Sequence, residues 1–158
     1  MKEKRIYKFV LNTQDSINSL NNNLQTFNVD WSVLPENKNF SVSFSFSSNS
    51  TSTDKNILNA CVYANLGCLN NYEIGATSNY KNTNFLGFLN IACATDGTNT
   101  RTFQCDNTLN NPLFINKRPS NNLLEIRICT FYGFNFLYSG VEGLINPYVL
   151  ILNFEEVF

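Results

Sequence analysis

The chain has 158 residues and a mass of 18.0 kDa, enough for one domain with a substantial core, and we expect residues 1–158 to form a single domain. Its 11 basic and 12 acidic residues give a net charge of -1, which argues against binding to nucleic acid or to an anionic membrane surface. No histidine is present, so the common zinc sites and the Ser-His and Cys-His catalytic arrangements lack a member, and we expect neither an enzyme nor a metal or organic cofactor.

The cysteines and the N-terminal residues indicate in which cellular compartment the protein stays. Five cysteines are present, and none forms a C-x-x-C pair, so we expect free thiols, with Cys61, Cys93 and Cys129 buried in strands. The sequence after Met1 runs directly into a strand pattern without the apolar segment of a signal peptide, and no stretch suits a transmembrane helix. We therefore expect a protein without a membrane span that stays in a reducing compartment.

The N-terminal part of the chain predicts strands with period-two alternation. Residues 5–11 are predicted to form the first strand and residues 12–23 a loop, with a short helix around residues 16–20 as the alternative. Two half-buried strands follow. Their inward side chains are predicted to be Phe27, Val29, Trp31 and Val33 in one strand and Phe40, Val42, Phe44 and Phe46, alternating with serines, in the other.

The middle of the chain predicts strands separated by loops. Residues 57–64, 85–94 and 100–105 have strand patterns, and Asp96-Gly97 is typical of a hairpin turn between the last two. The strand at 85–94 is apolar on both faces, which indicates a central position. The loop at 67–83 is long for a compact domain, so we expect a contact surface there.

The C-terminal third predicts a short edge strand at 113–115, an alternating strand at 123–130 and a final strand at 147–155. The final strand is apolar on both faces, so we expect it to be central and covered on both sides. Between these strands lies an aromatic cluster, interpreted either as a hairpin end packed on the core or as an exposed patch for a protein partner. Its members are Phe131, Tyr132, Phe134, Phe136 and Tyr138.

Eight or nine strands without a long helix predict an all-β fold. A jelly roll pairs the first and last strands centrally, which fits an amphipathic opening strand and an apolar closing one. We therefore prefer a single eight-stranded antiparallel jelly roll, a two-sheet β-sandwich, over an immunoglobulin-like sandwich.

The patterns at residues 112–119, 123–128 and 147–155 carry a resemblance to a family. They resemble the single jelly-roll minor capsid and penton proteins of large double-stranded DNA viruses. The resemblance implies a structural protein of an icosahedral virion, assembled in the host cytoplasm without a cofactor. Its implied partners are its own copies, in a homo-pentamer or trimer, and other capsid proteins.

Two other functions remain as alternatives. A jelly-roll binding module, such as a lectin or receptor-binding head, could stack a glycan on Trp31, although its place in the inward set favours the core. An enzyme is the weaker alternative, because the adjacent carboxylates Glu155 and Glu156 point to opposite faces of a strand and cannot converge on one substrate.

Overall fold

The computed structural model describes residues 4–17, 24–48, 59–66, 84–95, 100–105, 112–130 and 148–157. Within these ranges strands predominate, which confirms the all-β prediction. The strands are β1 (Ile6–Asn12), β2 (Leu24–Asn28), β3 (Asn39–Ser48), β4 (Asn59–Ala64), β5 (Asn84–Thr95), β6 (Thr100–Cys105), β7 (Leu113–Ile115), β8 (Leu123–Thr130) and β9 (Tyr148–Val157). Two 3-10 helices, η1 (Thr13–Asp15) and η2 (Trp31–Val33), complete the described elements.

The strands form one antiparallel sheet that is nearly closed into a barrel. Its order is β1-β9-β3-β6-β5-β4-β8-β2, and β7 pairs with β3 beside this path. The first and last strands pair from Ile6 opposite Glu155 to Asn12 opposite Val149. Because β3 pairs with the other side of β9, the last strand lies inside the sheet, as predicted.

A single core lies between the two halves of the curled sheet. On β3, Phe40, Val42, Phe44 and Phe46 are all buried, and the serines between them alternate to the other face, as the period-two pattern predicts. Burial of each such side chain contributes about 1.5–3 kcal/mol. Register on β3 is therefore strongly specified, since a slip by one residue would expose the whole set.

The segment after β2 folds as a 3-10 turn rather than as the predicted strand. The carboxylate of Asp30 accepts a hydrogen bond of 2.9 Å from the N–H of Ser32 and caps η2. Hydrogen bonds from the Ser32 side chain and backbone hold the pKa of the Asp30 carboxyl below its ordinary value. This local cap competes with strand extension, because a short acidic side chain readily satisfies the N–H groups of a turn.

The turn changes which side chains enter the core. Trp31 is buried as predicted, but Val33 is 57% exposed, so its predicted inward position was wrong. Leu34 is fully buried and fills the core instead.

The covering of β9 also differs from the prediction. Tyr148, Leu150 and Leu152 on the inner face are buried, whereas Val149 and Ile151 on the outer face are only half-buried. The expectation of a final strand covered on both sides was therefore wrong, although its central place in the sheet is confirmed.

The remaining predicted strands can be compared with those of the structure. The short strand at 113–115 and the strand at 123–130 have the predicted bounds. β5 and β6 pair as a hairpin would, with Thr95 opposite Thr100, while the Asp96-Gly97 turn itself lies outside the described residues. No helix in the described part of the chain is long and apolar enough to cross a membrane.

Candidate interaction surfaces

Trp31, the candidate residue for stacking on a sugar, belongs to the core. Its ring lies 4.9 Å from that of Phe9 and 5.5 Å from that of Phe154, measured between ring centroids. Its Nε1–H donates a hydrogen bond of 2.8 Å to the carbonyl of Asn121. With only 2% of the residue exposed, no ring face is open to a ligand. The core interpretation of Trp31 is confirmed.

The described residues hold no cluster of three or more histidine, cysteine or acidic side chains that could bind a metal. Cys61 and Cys105 are both half-buried, so the predicted burial of Cys61 is only partial. The Cys105 thiol donates to the carbonyl of Phe44 at 3.3 Å, and burial raises its pKa from 9.0 to about 12. A thiol that stays protonated at neutral pH is a poor nucleophile, so Cys105 is suited to packing.

In the part of the chain that the structure describes, the sheet has two broad outer surfaces. The first, called the serine face, consists of the outward side chains of β1, β9, β3 and β7. The pairing register arranges them in rows across the strands. These rows are Ile6-Glu155-Ser41-Phe114, Lys8-Asn153-Ser43, Val10-Ile151-Ser45 and Asn12-Val149-Ser47.

The serine face mixes small hydroxyl groups with exposed apolar side chains. Ile6, Val10 and Phe114 are 57%, 62% and 65% exposed. Its charges are those of Lys8 and of Glu155, whose carboxylate pairs with the ammonium group of Lys4 at 2.7 Å. Most of this surface can therefore be covered by a partner without desolvating an ion.

The second surface, called the aromatic face, consists of the outward side chains of β2, β8, β4 and β5. Its centre is a row of half-buried rings. The Tyr63 and Phe85 centroids are 5.4 Å apart, and those of Phe85 and Phe88 are 4.9 Å apart. Arg127 lies directly opposite Tyr63 on β8, so a basic residue borders the rings.

The aromatic face arises because β4 puts small residues inward and Tyr63 outward, while β5 carries Phe85 and Phe88 on its outer face. Ala60 and Ala64 of β4 are fully buried, while Tyr63 points to the other face. On β5, the register with β4 shifts between Val62 and Tyr63, which leaves one extra residue on β5.

Gly87 lies at this shift and has a φ of 149°, a conformation that favours glycine. The shift resets the alternation, so that Phe85 and Phe88, three positions apart, face outward together.

The contact surfaces expected from the sequence were different ones. Both the loop at 67–83 and the aromatic cluster at 131–139 lie outside the described residues. The row of aromatic rings on β4 and β5 was not predicted from the sequence. Its signal is the apolar character of both faces of residues 85–94, together with the small residues Ala60, Val62 and Ala64 that alternate with Cys61 and Tyr63.

No family model matches the chain, and comparison with curated proteins finds no significant relative.

Proposed function

We propose that this chain is a penton-like minor capsid protein, a single jelly-roll building block of an icosahedral double-stranded DNA virus shell that assembles through protein-protein contacts. The resemblance at residues 112–119, 123–128 and 147–155 suggests the viral role, and these stretches include β7, most of β8 and most of β9. In this role the surfaces of the subunit, rather than any reactive group, perform the function.

The strand order supports a jelly roll. When β6 is taken as a link between two halves, one half has the order β1-β9-β3-β7 and the other β2-β8-β4-β5. Renumbered as eight strands, these halves are 1-8-3-6 and 2-7-4-5. This is the order that the two interlocked Greek keys of a jelly roll produce.

The sheet has nine described strands. The additional strand fits the jelly-roll scheme when β6 and β7 are taken as two pieces of one strand. β7 pairs with β3 over Phe40 to Val42, and β6 pairs with β3 at Ser47. The two strands therefore lie at different heights along the same side of β3, where an eight-stranded jelly roll has one strand. β6 also pairs with β5, which makes the sheet continuous between the halves.

The observation that carries the functional proposal is the low charge of both outer faces. The serine face has Lys8 and Glu155 among its described strand residues, and the aromatic face has Glu125 and Arg127. Charge depletion and aromatic enrichment distinguish the centres of protein interfaces from the rest of a protein surface. Two such faces on opposite sides of one core suit a subunit with a neighbour on each side.

Because the two faces differ in chemistry, a contact between them would produce a heterologous assembly. When the serine face of one copy meets the aromatic face of the next, each contact joins two unlike patches. Repetition of such a heterologous contact must either close into a ring or continue as a filament. A ring of five copies fits a vertex, and a ring of three fits another position in the shell.

Sedimentation velocity over a concentration series tests this proposal. Wild-type protein should convert to one closed oligomer as its concentration rises. Ser45→Arg places an unpaired charge in the middle of the serine face, opposite Ile151, and should weaken assembly by at least about tenfold. Asn37→Arg adds the same charge at an exposed turn outside both faces and should assemble like wild type.

Two results would count against the proposal. If Ser45→Arg assembles as well as Asn37→Arg, the serine face is not an interface. If the wild type stays monomeric and a glycan array shows binding, the binding-module alternative replaces the capsid role.

A further inference from the structure

The serine face has one basic and one acidic side chain on its described strands. Lys8 of β1 lies opposite Asn153, and Glu155 of β9 lies opposite Ile6, two positions further along the same ladder. Diagonal neighbours of this kind on two antiparallel strands are about 7–8 Å apart. Lys8 is exposed and Glu155 is half-buried. A positive and a negative charge therefore lie on a short diagonal from β1 to β9.

The aromatic face also has one acidic and one basic side chain on its described strands. Glu125 and Arg127 lie two positions apart on β8, on the face opposite to the buried Ile126. Such residues are about 6.6–6.8 Å apart, because each residue of a strand rises by about 3.3–3.4 Å. Glu125 is exposed and Arg127 is half-buried. The spacing of the two charges is therefore similar on both faces.

The signs of the charges match in one orientation of two facing copies. In this orientation, Lys8 on the serine face of the first copy faces Glu125 on the aromatic face of the second. The other two charges, Glu155 and Arg127, then also meet and are of opposite sign. A half-turn of the second copy would place Lys8 on Arg127, and like charges in a contact are unfavourable. The charges therefore favour one orientation over its reverse.

This orientation also agrees with the way in which sheets pack face to face. The line from Lys8 to Glu155 crosses one strand spacing of about 4.8 Å and advances by two residues, so it makes an angle of about 35° with β9. The line from Glu125 to Arg127 follows β8 itself. Superposing the two lines makes the strands of the two copies cross at about 35°, close to the angle of about 30° between aligned packed sheets.

The half-buried members of the two pairs already have interactions inside their own subunit. The Glu155 carboxylate pairs with the ammonium group of Lys4 at 2.7 Å, and Arg127 has an interaction within the chain. A carboxylate has about four lone-pair sites, and a guanidinium group has five N–H donors. Both groups can therefore bind a second partner while they keep the first.

We propose that the next copy of the chain docks in this single orientation, with Lys8 of one serine face on Glu125 of the neighbouring aromatic face. The pair of Glu155 and Arg127 lies beside it in the same contact. This orientation rests on the proposed function, because it sets the direction of the contact between the two faces. Complementary charges of this kind give a contact specificity more than affinity.

Charge reversal at the two exposed positions tests this orientation by sedimentation velocity over a concentration series. Lys8→Glu and Glu125→Lys should each weaken assembly by at least about tenfold, because each places like charges in contact. The double variant restores opposite signs and should assemble within about threefold of wild type. Lys38→Glu makes the same change of charge at an exposed turn before β3 and should assemble like wild type.

The outcomes distinguish this orientation from the proposed function itself. If Ser45→Arg weakens assembly while neither single reversal does, the serine face is an interface but the orientation is wrong. A double variant weakened as much as the two single variants together would show that the two positions do not face each other. A wild type that never assembles would overturn both proposals.

Thermal melting of each variant at low concentration checks that the subunit is folded. Where a reversal unfolds the subunit, the neutral changes Lys8→Gln and Glu125→Gln take its place. Their effects on assembly should be less than additive in the double variant, since either change alone removes the same charge pair. Fully additive effects would overturn the proposed orientation.

Discussion

The hydroxyl of Tyr7 on β1 donates a hydrogen bond of 2.9 Å to Oε1 of Glu156 on β9, a carboxylate residue that is only 8% exposed. The backbone N–H of Glu156 also donates to the carbonyl of Arg5, at 3.1 Å. Both the side chain and the backbone of Glu156 are thus bound to the first strand, which fixes the last strand at this end of the sheet.

Tyr7→Phe should lower the free energy of unfolding by about 1–3 kcal/mol, because it removes the donor from a nearly buried carboxylate. Urea denaturation measures this loss. The same change made in a Glu156→Gln background should cost less, since a hydrogen bond to a neutral amide is weaker than one to a carboxylate. Equal losses in the two backgrounds would show that the hydroxyl does not act through this bond.

Phe154→Ala should be among the most destabilising substitutions, at about 3–5 kcal/mol, because it opens a cavity in the core. The Phe154 ring is fully buried and contacts the rings of Phe9 at 5.4 Å and Phe40 at 5.9 Å. Phe114→Ala is the matched control, since Phe114 is 65% exposed and its loss in the monomer should cost less than about 0.5 kcal/mol. Similar denaturation midpoints for the two variants would contradict the described core.

Arg118 should stabilise the fold mainly through a backbone contact. Its Nη1 donates to the carbonyl of Leu34 at 2.9 Å, and its Nη2 pairs with Glu36, whose side chain is 70% exposed. Arg118→Ala should therefore cost about 1–3 kcal/mol, whereas Glu36→Ala should cost less than about 1 kcal/mol. Thermal or urea unfolding measures the loss of stability in each variant. Equal losses for Arg118→Ala and Glu36→Ala would show that Arg118 stabilises the fold through the exposed ion pair rather than through the Leu34 carbonyl.

Stability at alkaline pH should depend on Cys105. Burial raises the pKa of this thiol from 9.0 to about 12, so the folded state holds its proton more tightly than the unfolded chain. Its contribution is fully present below about pH 9 and is lost progressively as pH rises from about 9 towards 12. Urea unfolding at several pH values, compared with Cys105→Ala, isolates this effect from other titrating groups. A wild type and variant with parallel pH profiles would refute it.

Strict alternation made the strands themselves predictable. Phe40 to Phe46 alternates without interruption, and the structure buries each aromatic or aliphatic member. On β8, Leu124, Ile126 and Ile128 are buried in the same way. The pattern failed at Val33, where the Asp30 cap turns the chain into a 3-10 helix, because the capping of a single turn competes locally with the alternation.

Strand partners and outer faces were harder to predict. β2 pairs with β8 near the other end of the chain, and alternation within either strand carries no information about that choice. The aromatic face depends on a register shift at Val62 and Tyr63, and on the positive φ of Gly87. A glycine within an apolar strand often marks a bulge or another special backbone position, but only the pairing shows which rings it brings to one face.

The most direct test of the proposed function is the subunit number of the wild-type chain at high concentration, measured by native mass spectrometry and checked by electron microscopy of the same sample. We expect one closed ring, of five subunits for a vertex protein or of three for another shell position. A protein that remains monomeric at the highest concentration reached, or that extends into open filaments, would contradict it.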